Sequence, residues 1–172
     1  MTLTVGNKAV YPSHGPCRIN RIVNKVVDGK PTKFYHLLLL DDNAGELFVP
    51  VEKAHAIGVR LLLKRSEIPK LLLQLRKSTS GANNWKERAA DNSKRFNSGS
   101  ALDLAKVVGS LTKLRDTKSL TLSEARTLER ARRLLVCEIS EVMGETKGEV
   151  EEKIDKALCM GTTQTVEANK QK

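Results

Sequence analysis

Gly58-Val59-Arg60-Leu61-Leu62-Leu63-Lys64-Arg65-Ser66-Glu67-Ile68-Pro69 is where this chain changes its period. Upstream, short runs rich in β-branched and aromatic residues alternate with turn residues. Downstream, Leu, Ala, Lys, Arg and Glu recur with helical spacing. Ala9-Val10-Tyr11, Cys17 to Ile22, Phe34 to Leu39 and Leu47-Phe48-Val49 read as strands. Pro12-Ser13-His14-Gly15, Asp28-Gly29-Lys30-Pro31 and Asp41-Asp42-Asn43-Ala44-Gly45 separate them as turns. Four or five short strands of this kind suit a small barrel. Within residues 17–27, Cys17, Ile19 and the apolar members of the Ile22 to Val27 stretch are expected on a buried face, and Arg18, Asn20, Asn24 and Lys25 in solvent.

Beyond the switch, Ile68-Pro69 opens a helix with proline in its first turn, and Ser78-Thr79-Ser80-Gly81 is expected to stop it. Asn84 with Glu87, Ser100 with Asp103, Thr121 with Glu124 and Thr146 with Glu149 mark four further starts. Each places a side-chain acceptor three residues before an acid, where the free N–H groups of a helix start need partners. Leu104, Val107, Val108, Leu111 and Leu114 share one helical face, as do Leu128, Ala131, Leu135 and Val142 in a helix beginning near Ser123, and both sets are expected in the core. The expected class is α+β, with a β-domain over residues 1–60 and a compact domain of about five helices over 61–160. Residues 161–172 have little to bury and are expected to be a disordered tail.

The charge is local. Residues 61–135 hold 17 basic and 7 acidic side chains, which equals the whole net charge of +10. A polyanionic partner exploits such a block, because each phosphate neutralised releases condensed counterions. No run approaches the roughly 18 apolar residues of a spanning helix, and Met1 to Gly6 lacks a secretory pattern, so a cytoplasmic protein without membrane contact is expected. Cys17, Cys137 and Cys159 lack metal-ligand or disulfide spacing and read as reduced, buried thiols. Cofactor and metal are therefore not expected.

Nothing in the pattern assembles a reaction centre. His14 near Cys17 is the only imaginable thiol–imidazole pair and has no third group to orient it, while the glycines form neither GxxxxGK[ST] nor GxGxxG. Trp85 is different: the sole tryptophan stands in Asn83-Asn84-Trp85-Lys86-Glu87-Arg88, where no core periodicity asks for a large ring. It either lies under an interface or projects toward a partner, and its polar, basic surroundings favour the second.

Val5-Gly6-Asn7-Lys8, Val10-Tyr11-Pro12-Ser13-His14-Gly15, Val49-Pro50-Val51 and Gly58-Val59-Arg60 resemble the CarD-like (CarD/CdnL) bacterial transcription regulators. So do Asn84-Trp85, Arg88, Ser98-Gly99, Val107-Val108, Leu111, Arg115-Asp116, Leu122-Ser123-Glu124, Leu128, Ala131-Arg132 and Leu134-Leu135, in order and spacing. The first motif also occurs in transcription-repair coupling factors, whereas the two halves together are highly specific. The resemblance implies a Tudor-like barrel that binds the RNA polymerase β subunit, and a helical domain that touches promoter DNA at the upstream edge of the bubble. It implies a monomer, associated with the nucleoid through polymerase. In such proteins a tryptophan matching Trp85 wedges into the minor groove. Arg88, Lys86, Lys118 and Arg132 are expected beside it on DNA, and Lys25, Phe48, Val49 and Pro50 on polymerase.

Departures from the family pattern shape these expectations. Glu87 stands where relatives often carry a cation, and Ala89-Ala90 follow where bulkier or basic residues are common, so a weaker grip on DNA is expected. Lys25 and Phe48 replace arginines of some relatives, which makes the polymerase contact more apolar, although Phe48 reads equally as an ordinary strand residue. Two other readings stand beside this one. A ribosome- or RNA-binding accessory protein shares small barrels and basic helices, and a protein–protein adaptor would bury Trp85 between domains.

Overall fold

The computed structural model describes residues 3–41, 45–77 and 84–168, with side chains through Cys159. It divides into two compact units, Met1–Leu62 and Leu63–Lys172.

In the first unit, strands β1 (Lys8–Tyr11), β2 (Gly15–Val27), β3 (Lys30–Leu39), β4 (Glu46–Pro50) and β5 (Arg60–Leu61) form one antiparallel sheet in the order β4-β3-β2-β1-β5. A short 3-10 turn and helix α1 (Ala54–Ile57) lead from β4 to β5. Ala9, Cys17, Ile19, Tyr35, Leu37, Val49, Ala54 and Val59 make the core. The Tyr35 hydroxyl donates to the Leu3 carbonyl at 2.9 Å, so its polar end is satisfied inside that core.

The β2–β3 connection follows from two residues. Val27 pairs with Lys30 across Asp28-Gly29, whose φ values of 50° and 76° are the pair of positive angles a two-residue hairpin turn requires. The far half of β2 corrects the expected alternation. Cys17 and Ile19 are buried and Arg18 and Asn20 exposed, but Ile22, Val26 and Val27 are exposed too. The reason is pairing: β1 covers β2 only from Gly15 to Arg18, and the register shifts between Ile19 and Arg21. Beyond Val23 and Phe34 neither β1 nor β4 is paired, and residues 24–33 are thus a two-stranded arm without a core behind it. Of the expected turn at 41–45, residues 42–44 lie outside the described residues.

The second unit contains α2 (Ile68–Lys77), α3 (Trp85–Asn97), α4 (Ala101–Thr117), α5 (Leu122–Met143) and α6 (Lys147–Ala168). The expected stop at 78–81 lies outside the described residues. Ser100 Oγ accepts from the Asp103 amide at 3.3 Å, and Thr121 and Glu124 form a reciprocal capping box. Thr146 and Glu149 exchange the same pair of bonds, at 2.8 and 3.3 Å. Gly144, at φ 70°, closes α5 in the left-handed conformation. The expected stripes Leu104 to Leu114 and Leu128 to Leu135 are buried with Leu71, Leu75, Ile139, Val150 and Ile154, whereas Val142 packs at the edge. A buried carboxylate, Glu138, accepts from the Leu63 amide at 3.1 Å and ties the start of this unit to α5.

The molecule is α+β, a small antiparallel β-domain followed, among the described residues, by five α-helices, as its sequence leads one to expect. The tail expectation is corrected in part, because α6 runs through Ala168 and makes 161–168 helical. Extending an already nucleated helix fixes one residue per hydrogen bond and needs no core of its own. Residues 169–172 lie outside the described ones.

Candidate nucleic-acid and protein interfaces

Trp85 is the first residue of α3, and its side chain is 58% exposed. The turn that carries it is built by its neighbours. Asn84 caps the helix by accepting the Lys86 amide on Oδ1 at 3.0 Å, and the Arg88 amide donates to the Asn84 carbonyl at 3.1 Å. Glu87, three residues after the cap, is the expected acid of the first turn, but the bond found goes to Lys86. The Lys86 ammonium lies 5.7 Å from the indole centroid, within cation–π range.

The four cations expected beside Trp85 do not share one environment. Lys86 and Lys118 are exposed, the latter at the end of α4 just before α5. Arg132 donates to Asp155 of α6 at 2.7 Å, and that carboxylate holds the guanidinium protonated even more firmly than usual. Arg88 is engaged most deeply. Its Nε and a terminal nitrogen both donate to Oε1 of Glu124, at 3.2 and 3.0 Å, with the two side chains 14% and 7% exposed.

Glu124 serves two masters with two oxygens. Oε1 takes Arg88, while Oε2 accepts the Thr121 amide and hydroxyl, each at 3.0 Å. Burial pushes its pKa up, but the bonds from Thr121 and from Arg88 together outweigh that and hold the carboxyl below the usual range. The sequence marks Glu124 as a capping acid and gives no sign of its second partner, which is 36 residues away. Leu122, the first residue of α5, stands in the Leu122-Ser123-Glu124 motif, but its strong exposure is not announced by the sequence. An apolar residue at a helix start carries no periodic signal.

On the sheet, Lys25, Phe48, Val49 and Pro50 fall into three environments. Val49 is core. Pro50 ends β4, the strand at one edge of the sheet, half-buried. Phe48 and Lys25 meet on an exposed face, the ammonium 3.6 Å from the ring centroid. Phe48 also stacks on His36, with centroids 4.8 Å apart and an interplanar angle of 10°. His36 is fixed by Asn20 at 3.3 Å on Nδ1 and Glu46 at 2.9 Å on Nε2. Phe48 thus packs on its cross-strand neighbour His36 and carries the Lys25 ammonium on its ring.

The groups with chemical potential elsewhere are occupied. The Cys17 thiol donates to the Ala9 carbonyl at 3.4 Å, and burial raises its pKa to about 11 against the pull of hydrogen bonds to Tyr11 and Ala9, which suppresses the thiolate. His14 stacks edge-on against Tyr11, with Nδ1 3.2 Å from the Pro12 carbonyl. Cys137 is buried as expected, whereas Cys159 is exposed on α6, beside the buried Leu158. Among the described residues no cluster of His, Cys, Asp or Glu has a metal-binding arrangement, and no helix is long and apolar enough to cross a membrane.

Comparison with known proteins gives this architecture a family. The model of the CarD, C-terminal domain matches residues 70–155, and that of the CarD-like/TRCF RID domain matches residues 3–61. A protein of Bacillus subtilis (strain 168) named "Putative transcription factor YdeB" is 23% identical over 147 residues, spanning 85% of this chain and 95% of that protein. The solution NMR structure of the 72-residue N-terminal domain of Myxococcus xanthus CarD is 37% identical and covers 35% of this chain and 79% of that one, with a TM-score of 0.30. A sheet unit and a helical unit matched by these two models define a transcription regulator. More particularly, the chain belongs to the CarD-like family.

Proposed function

We propose that this regulator acts without catalysis, as a cytoplasmic monomer that binds the RNA polymerase β subunit through its sheet and promoter DNA through its helices. It stabilises the open promoter complex. The Phe48–Lys25 face and the neighbouring Pro50 at the edge of the sheet meet the β subunit, with Val49 supporting them from the core. Trp85 enters the minor groove at the upstream edge of the bubble, and the exposed ammonium groups of Lys86 and Lys118 neutralise phosphates beside it.

The observation that carries this reading is the exposure of Trp85 on the first turn of a capped helix, inside the most basic third of the chain. A ligand shifts an equilibrium only by its differential affinity for the two states. A ring that fills a distorted, partly unstacked step binds the open state selectively, whereas phosphate contacts form on both states alike.

The test is the lifetime of open complexes on a defined promoter, with wild-type protein and with Trp85→Ala. The variant is expected to keep the unfolding midpoint and capture of the β subunit while losing most of the gain in lifetime. Equal lifetimes would remove the wedge. Retention of RNA in place of promoter DNA in a competition assay would instead favour the RNA-binding reading.

A further inference from the structure

Arg88 is one of the four cations that the resemblance directs toward DNA, and of these it is the one most deeply engaged within the fold, in a pair more withdrawn from water than that of Arg132 with Asp155. Two of its donors converge on a single oxygen of Glu124, and both side chains are largely withdrawn from water. Turning the guanidinium out to a phosphate would leave Glu124 buried and without that partner, the costly outcome for a desolvated pair. Exposed Lys86 and Lys118 can reach a polyanion without any such loss.

The anchor is also well placed. The Arg88 amide closes the turn that begins at Asn84, and Asn84 in turn holds the Lys86 amide, so Trp85 sits between two fixed points. Glu124 is itself immobilised by the Thr121 capping box at the start of α5. Torsional freedom at the start of α3 is therefore restricted from a different helix, three residues away from the ring.

We propose that Arg88 is a positioning residue: through Glu124 it locks the Asn84–Arg88 turn onto the first turn of α5, sets the pose of the Trp85 ring, and makes no phosphate contact. The importance of that pose rests on the wedge reading; the lock itself does not. Arg88 and Lys are not interchangeable here, because a fork with two donors fixes orientation and a single ammonium does not.

The experiment uses the full-length protein and its single tryptophan. Arg88→Lys and Glu124→Gln are compared by time-resolved anisotropy of Trp85, by open-complex lifetime, and by the salt dependence of DNA binding. Both are expected to enlarge the fast component of indole motion and to shorten the lifetime by roughly fivefold, a magnitude ordinary for coupled neighbours, with the salt slope unchanged. Added to Trp85→Ala, Arg88→Lys is expected to have no further effect on lifetime.

A direct phosphate contact gives the opposite pattern. Arg88→Lys would then behave as wild type, Arg88→Gln would flatten the slope of log affinity against log salt by about 0.9, and Glu124→Gln, by removing a negative charge, would lengthen the lifetime. That pattern overturns the proposal. Unchanged lifetimes with Trp85→Ala would sink the wedge alone, since anisotropy still decides the lock. If Glu124→Gln fails to fold, Arg88→Lys leaves the capping box in place and decides by itself.

Discussion

Two large apolar rings face solvent among the described residues, and they are held in opposite ways. Phe48 lies on a sheet, stacked on His36 from one side and touched by the Lys25 ammonium from another, so its orientation is set by direct neighbours across adjacent strands. Trp85 stands at a helix start, where its orientation is set at one remove by Asn84 behind it and Arg88 ahead of it. A sheet supplies cross-strand partners every 5 Å or so, whereas the first turn of a helix supplies few. An exposed ring on a sheet is thus positioned by contact, and one at a helix start by the anchoring of its backbone.

The sharpest way to break this contrast is to remove the remote anchor. Glu124→Ala leaves Arg88 without its carboxylate and deletes the capping box, so urea denaturation should show the helical unit losing about 3 kcal/mol or more. A loss below about 1 kcal/mol would mean that the pair does not hold α3. The same carboxylate sets a pH dependence. Because folding depresses its pKa, its stabilisation is present above the ordinary carboxylate range and disappears as pH falls through and below that range. Glu124→Gln should therefore flatten the acid limb of the stability profile in circular dichroism melts.

Next in size is the direct case. Phe48→Ala removes an aromatic stack and a cation–π contact, and should cost the sheet unit about 1.5 kcal/mol in thermal unfolding. On the proposed function it also weakens capture of the β subunit. Asn84→Ala, which unties the other end of the Trp85 turn, should cost about 1 kcal/mol and increase acrylamide quenching of Trp85. The smallest effect is expected from Lys25→Met, about 0.5 kcal/mol at an exposed ring. Were Lys25→Met to cost more than Phe48→Ala, the ring would not be the centre of that face.

Much of the fold was legible because its signals are local. Asp28-Gly29 writes its own hairpin turn, Thr121 and Glu124 write their own cap, and Leu104 to Leu114 repeat at the period of the helix they form. The exposed far half of β2 was not legible, since Ile22, Val26 and Val27 look like core until one knows that β1 ends its pairing at Arg18. The candidate interfaces divide along the same line. Exposure of Trp85 followed from its polar neighbours, and that of Lys86 and Lys118 from their place off the apolar stripes. The engagement of Arg88 with Glu124 and of Arg132 with Asp155 is a tertiary event, spanning 36 and 23 residues, and no spacing rule announces it.

The doubly committed carboxylate of Glu124 has a kinetic consequence. The Arg88 amide is shielded only while the first turn of α3 is closed, and the Glu124 amide only while Thr121 Oγ accepts it at 3.2 Å. Both closures lean on that one side chain. In heavy water these two amide hydrogens, far apart in the chain, should exchange for deuterium at a common rate, as a single opening unit that joins the beginnings of two helices and leaves their middles intact.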